Sequence, residues 1–202
     1  MQKKFTWNED VKHIFKVSGL IDIYMGKVAI RNQDMKNTIK RAKIKLMCNH
    51  QDEWYQKLQT KPKLRFYRIF KDMYKTEAYV NCKYLNKIQR CFFSKLRGGI
   101  LPLEVETGRW KKPKKIPYEQ RFCKTCDMKE VGDEKHFLLF CKTNKELRDV
   151  LYNKLKQTEL YNDFSTGDDD TKISILVNND SICKYVADYV IKSLELKTAC
   201  VS

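Results

Sequence analysis

The sequence has 202 residues, 42% hydrophobic and 33% charged, with 41 Lys/Arg against 25 Asp/Glu and a formal charge of +16. This is the profile of a folded domain with a heavily charged surface, and no apolar run is long enough to span a bilayer. The charge is one-sided. Residues 1–122 hold 29 Lys/Arg and 11 Asp/Glu, a net of +18, while residues 123–202 hold 12 and 14, a net of −2.

The patterning predicts a mainly α protein, a helical bundle with a small embedded CCHC zinc knuckle. Thr6-Trp7-Asn8-Glu9 has the form of a capping box, with Val11, Ile14 and Phe15 at helical spacing and Gly19 as the stop. Leu20–Ile30 lacks helical period and reads as an extended piece or a buried turn. A longer helix is expected from Asp34 to Leu58, with Ile39, Ala42, Leu46, Trp54 and Leu58 on one side and a break near Cys48–Gln51. After Pro62, a helical stripe continues through Leu64, Tyr67, Phe70, Met73 and Tyr74. Tyr84–Arg97 is the best-patterned helix, with a seam of Leu85, Ile88, Phe92 and Leu96. Lys83, Lys87, Arg90 and Arg97 fall on another face, and Gly98-Gly99 ends the helix. Residues 100–122 are proline-rich, with the run Lys111-Lys112-Pro113-Lys114-Lys115, and read as a basic arm or linker. A helix follows through Leu147, Val150, Leu151 and Leu155, then an acidic loop at Asp163–Thr171. A last helix is expected from Asp180-Ser181 through Ile182, Val186, Tyr189, Val190 and Leu194. The implied division is 1–99 basic helical region, 100–122 basic arm, 123–141 knuckle and 142–202 C-terminal helical region.

Cys123, Cys126, His136 and Cys141 form the pattern C-x2-C-x9-H-x4-C. Two thiols on a tight turn followed by an imidazole and a third thiol are what a tetrahedral zinc ion asks for, and four protein ligands close the shell against a catalytic water. One structural zinc ion is expected, with Asp133 or Glu134 steadying the His136 ring. A redox C-x-x-C pair is the alternative, but it belongs beside an alternating strand–helix pattern that is absent here. The N-terminus runs into charged residues rather than an apolar leader with a small-residue cleavage site. Reduced cysteines inside the cell, in nucleus and/or cytoplasm, are therefore expected.

The stretch from Lys61 to Phe140 resembles the carboxy-terminal, zinc-knuckle tail of non-LTR (LINE-type) retrotransposon reverse transcriptase polyproteins. The resemblance is carried by Lys63-Leu64-Arg65-x-Tyr67, Phe70-Lys71-Asp72, Gln89-Arg90, the run Leu96 to Glu104, and Glu106-x-Gly108-Arg109. It continues in Arg121-x-Cys123-x-x-Cys126, Asp133-Glu134-x-His136-Phe137-Leu138 and Arg148. It implies a non-catalytic tail, with Cys123, Cys126, His136 and Cys141 as its zinc ligands, that holds template RNA or target DNA, with the upstream polymerase domain of a parent protein as a further partner. The paired aspartates of a polymerase, which bind magnesium from a strand–turn–strand, have no counterpart. Gly167-Asp168-Asp169-Asp170 reads as a solvated loop.

A polyanion is the natural partner of the basic half, because each neutralised phosphate releases condensed counterions. The residues expected to meet it are Lys83, Lys87, Arg90, Arg97, Arg109, Lys111, Lys112, Lys114, Lys115 and Arg121, with Trp110 as the base-stacking candidate. Tyr118 is a second stacking candidate, while Phe122 is read as packing with Phe137 and Phe140 in a small zinc core. No membrane contact and no small-molecule substrate are expected. The alternative is a zinc-stabilised protein-interaction scaffold whose lysines only solubilise it.

Overall fold

The computed structural model describes residues 7–29 and 31–201. The chain divides into two units, residues 1–60 and 61–202. The boundary lies well before the 99/100 division suggested by composition.

In the first unit, α1 (Trp7–Val17) and α2 (Ile21–Tyr24) precede the long α3 (Asn32–Thr60). Thr6, the expected N-cap of α1, lies outside the described residues. Gly19 takes a φ of +76°, which lets the Leu20 N–H reach back to the Phe15 carbonyl at 2.8 Å and close the end of α1. Residues 21–24 are helical rather than extended, and Tyr24 packs its ring on Phe15 at 5.4 Å. α3 passes through Cys48–Gln51 without a break. Ile39, expected on its covered face, is exposed, whereas the Asn49 amide donates to the Val17 carbonyl at 3.2 Å and ties α3 to α1.

The second unit is built around α5 (Lys87–Arg97) and α10 (Cys183–Val201), which pack on each other. Ahead of α5 come a 3-10 turn at Pro62–Leu64, the short α4 (Tyr67–Phe70) and another 3-10 turn at Ala78–Asn81. The helical stripe expected through Met73 and Tyr74 stops at Phe70, and both of those side chains are exposed. α5 starts one turn later than its hydropathy suggests, because Asn86 and Gln89 form a reciprocal capping box. After α6 (Glu104–Thr107) and the loop that carries the cysteines come α7 (Lys145–Leu155), α8 (Tyr161–Thr166) and α9 (Asp169–Asn178). α10 also packs on α7 and α9, and α4 lies on α9. Among the described residues there is no strand. Phe122 and Val131 form an isolated antiparallel bridge.

Leu101, Leu103 and Val105 are fully enclosed in this core, each burial being worth roughly 1.5–3 kcal/mol. Residues 100–107 are therefore an integral layer and not part of a free arm. The acidic stretch Asp163–Thr171 is also mostly helical. Asp168 accepts the Thr171 N–H at 2.8 Å and caps α9, so this aspartate is a helix start rather than loop solvation.

The buried face of α5 is Gln89, Phe93, Leu96 and Arg97, while Ile88 of the expected seam is 62% exposed. Two polar residues occupy that face because each has a partner. The Gln89 amide donates to Asp188 at 2.7 Å. Arg97 lies 3% exposed, pairs with Glu77, donates to the Val177 carbonyl and to Asn178 at 3.0 Å, and stacks over Phe70 at 4.6 Å. Lys71 meets the same Glu77 at 2.5 Å. Burial lowers the Arg97 pKa, and the Glu77 carboxylate opposes that shift.

Candidate metal centre

Cys123 and Cys126 sit on a hairpin-like loop held at its base by two backbone bonds. The Cys123 N–H donates to Glu130 at 2.8 Å, and the Gly132 N–H to Arg121 at 2.8 Å. Gly132 sits at a close approach. A Cβ there would stand 2.4 Å from a Glu104 oxygen and 3.1 Å from the Cys123 Cα.

His136 and Cys141 come from one turn of π-helix, His136–Phe140, closed by the Cys141 N–H to the His136 carbonyl at 2.7 Å. The four-residue gap between these ligands explains the turn. In an α-helix, residues five apart lie about 140° apart around the axis. The wider i→i+5 turn brings them to the same side. Its carbonyls are satisfied by neighbours. The Tyr189 hydroxyl donates to Phe137 at 2.6 Å and the Arg148 guanidinium to Cys141 at 2.9 Å. The start of the turn is fixed by Asp133, whose carboxylate accepts the His136 N–H at 2.9 Å.

The ligand atoms of Cys123, Cys126, His136 and Cys141 all lie within 4.8 Å of one another. Cys126 Sγ is 3.3 Å from His136 Nε2, and Cys123 Sγ is 4.0 Å from Cys141 Sγ. A tetrahedral ion with bonds of ~2.0–2.3 Å needs donor separations of about 3.5–3.8 Å. The four side chains can therefore hold a metal ion with little adjustment.

The residue steadying His136 is Glu130, 2.9 Å from Nδ1, which leaves Nε2 facing the thiols. Neither of the expected residues does this. Glu134 is buried against Arg65, and Asp133 accepts backbone and Tyr118 donors instead. The cluster gathers negative charge on one sulfur, that of Cys123. Cys123 is drawn down to about 2, chiefly by its hydrogen bond with Cys141. Cys141 is pushed above the thiol range, first by that same bond and then by burial. Burial acts to lower His136, but Cys123 and Glu130 outweigh it and raise it to about 9. A cation bound here would displace these protons.

The residues expected at a polyanion surface do not all lie outside. Lys83, Lys87, Trp110, Lys111, Lys112, Lys114 and Lys115 are exposed, and Arg109 and Arg121 are half-buried. Arg97 is enclosed in the core as described above, and its place on an outer face is corrected. Arg90 is half-buried and donates to the Cys82 and Leu85 carbonyls at 2.7 and 3.1 Å, closing the turn before α5 rather than pointing outward. Phe122 is 47% exposed and does not join Phe137 inside. Sequence reasoning missed Glu130 and the pair Glu104–Lys197, whose 2.7 Å contacts brace the cysteine loop from α10. Neither carries a spacing signal.

No helix among the described residues is long and apolar enough to cross a membrane. Comparison with protein-family models, with curated proteins and with solved structures finds no match.

Proposed function

We propose that this chain is a zinc-dependent nucleic-acid-binding module without catalytic activity, akin to the tail of a non-LTR retrotransposon reverse transcriptase polyprotein that lacks the polymerase domain. The observation that carries the reading is the junction at Arg121. The basic segment from Arg109 to Arg121 leads directly into the loop that brings four metal-ligating side chains within 4.8 Å.

Zinc suits three thiols and one imidazole, a closed set that leaves no position for a reactive water. Its role would be to fix the loop, while Lys111, Lys112, Lys114 and Lys115 supply the attraction to phosphate. The acidic balance of residues 123–202 favours this division of labour.

The test is metal analysis of the purified chain beside Cys126→Ser and His136→Ala, followed by binding to RNA and DNA across a salt series. One zinc per wild-type chain is expected, with less than a tenth of that in the variants. Log affinity should fall against log salt with a slope of about −3 or steeper, as expected for at least four phosphate contacts. A wild type without stoichiometric zinc, or with salt-insensitive binding, would overturn the reading.

A further inference from the structure

An open groove of about 570 Å³ in the second unit is lined by Arg65, Arg68, Arg109, Lys115 and Arg121. Its remaining walls are Pro62 and the rings of Trp110 and Tyr118, and no carboxylate among the described residues lines it. Five cations around one cleft call for an anion, and the details say which kind.

Arg121 is anchored by carbonyls alone among its described hydrogen bonds, Nε to Ile116 at 2.8 Å and Nη1 to Val105 at 2.7 Å, so neutral groups fix its position. Glu106 is shared between Arg109 and Lys63, each at 3.5 Å. Partial burial, then the neighbouring Arg109 and Arg65, pull the Arg121 guanidinium below its ordinary range, and the Glu106 and Glu119 carboxylates only partly oppose them.

Trp110 forms the edge of the cleft. It is 70% exposed, yet its indole N–H donates to Glu106 at 3.3 Å, so the ring is presented in a fixed direction. Trp110 and Arg121 also line a second groove, whose wall includes Ile116 and the exposed Phe122. The indole thus stands between two grooves, and the second also carries Lys111, Lys124 and the Glu104 carboxylate that Lys197 holds.

We propose that this double groove binds a single-stranded nucleic acid, with phosphates on Arg68, Arg109, Lys115 and Arg121 and unpaired bases on Trp110 and Phe122. The inference rests on the nucleic-acid reading above and narrows it. A duplex offers phosphates, but its bases are stacked on one another and cannot stack on an indole. An acidic peptide offers charge without flat rings. A flexible strand offers both, and each base stacked on an aromatic ring contributes ~1–3 kcal/mol.

The metal loop holds up one wall of the groove. The Tyr118 hydroxyl donates to Asp133 at 2.8 Å, and the same carboxylate caps the turn that carries His136. Arg65 stacks over the Tyr118 ring at 5.6 Å and pairs with Glu134, two residues before His136. Stripping the metal should therefore weaken single-strand binding although no ligand touches the groove.

The experiment measures affinity of the full chain for fluorescein-labelled twelve-residue oligouridylate and oligothymidylate, and for a twelve-base-pair duplex. Wild type is compared with Trp110→Ala, Trp110→Phe, the pair Arg68→Ala/Arg109→Ala, and Lys83→Ala/Lys87→Ala. Trp110→Ala should weaken single-strand binding about tenfold and duplex binding less than twofold. Trp110→Phe should stay within about threefold of wild type, because it keeps an aromatic face. The double arginine variant should lose more single-strand affinity than the double lysine one. Zinc content and thermal midpoint, measured on each variant, separate loss of contact from loss of fold. If wild type binds none of these probes, the nucleic-acid reading itself fails. If it binds but Trp110→Ala affects single strand and duplex alike, or polyglutamate displaces the oligonucleotide at equal charge, the groove assignment is overturned and the broader reading stands.

Discussion

Glu130 touches no ligand sulfur, yet it selects which imidazole nitrogen is available. Its carboxylate at 2.9 Å from Nδ1 holds the proton there and turns Nε2 toward Cys126. Replacing Glu130 by Ala should lower metal affinity about 10–100-fold while leaving the helical core intact. Competition against a chromophoric chelator measures this, and an unchanged affinity would show that the ring is oriented by packing alone. Arg97 shows the opposite use of a charged side chain. It is locked among Glu77, the Val177 carbonyl, Phe70 and Tyr79, so its charge serves packing and not recognition.

Among the elements, α9 gives a pH-dependent case. Asp168 is held below the usual aspartate range first by a hydrogen bond with the Thr171 side chain and then by the Thr171 backbone N–H that its carboxylate accepts at the helix start. A carboxyl depressed in the folded state contributes stability above its unfolded pKa and loses it as pH falls through the folded value. Hydrogen exchange at the Thr171 amide should therefore accelerate, beyond the intrinsic trend, below about pH 4. Asp168→Asn keeps a capping oxygen and should remove that pH dependence; an identical profile in both proteins would contradict the assignment. The convergence of Cys123, Cys126, His136 and Cys141 was legible in the sequence because residues that can share a metal ion keep short, fixed spacings. The π-turn that aims two of them was not, since it depends on Arg148 and Tyr189 arriving from other helices. Hydropathy placed Ile88 inside α5 and Arg97 outside. The reverse arrangement depends on Asp188, 99 residues from Gln89, and on Val177, 80 residues from Arg97. No local window contains such partners. Residues 100–107 misled for a similar reason, as proline content masked three enclosed apolar side chains.

At the scale of the molecule, the net positive charge and the four side chains able to hold a metal occupy different stretches of sequence but meet in the second unit. Tyr118 and Arg65 reach Asp133 and Glu134 across 15 and 69 residues. The tie between Glu104 and Lys197 spans 93. Such closures have a temporal consequence. A chain of helices ordinarily folds fast because its contacts are local, whereas contacts between distant residues must first overcome the entropy of closing a long loop. Helix formation here should run ahead of assembly of the cysteine loop. In stopped-flow refolding, far-ultraviolet signal should recover before the metal-binding signal of a cobalt-substituted sample. Lys197→Ala should delay the second phase and leave the first unchanged. Simultaneous recovery of both signals would show instead that the metal nucleates the fold.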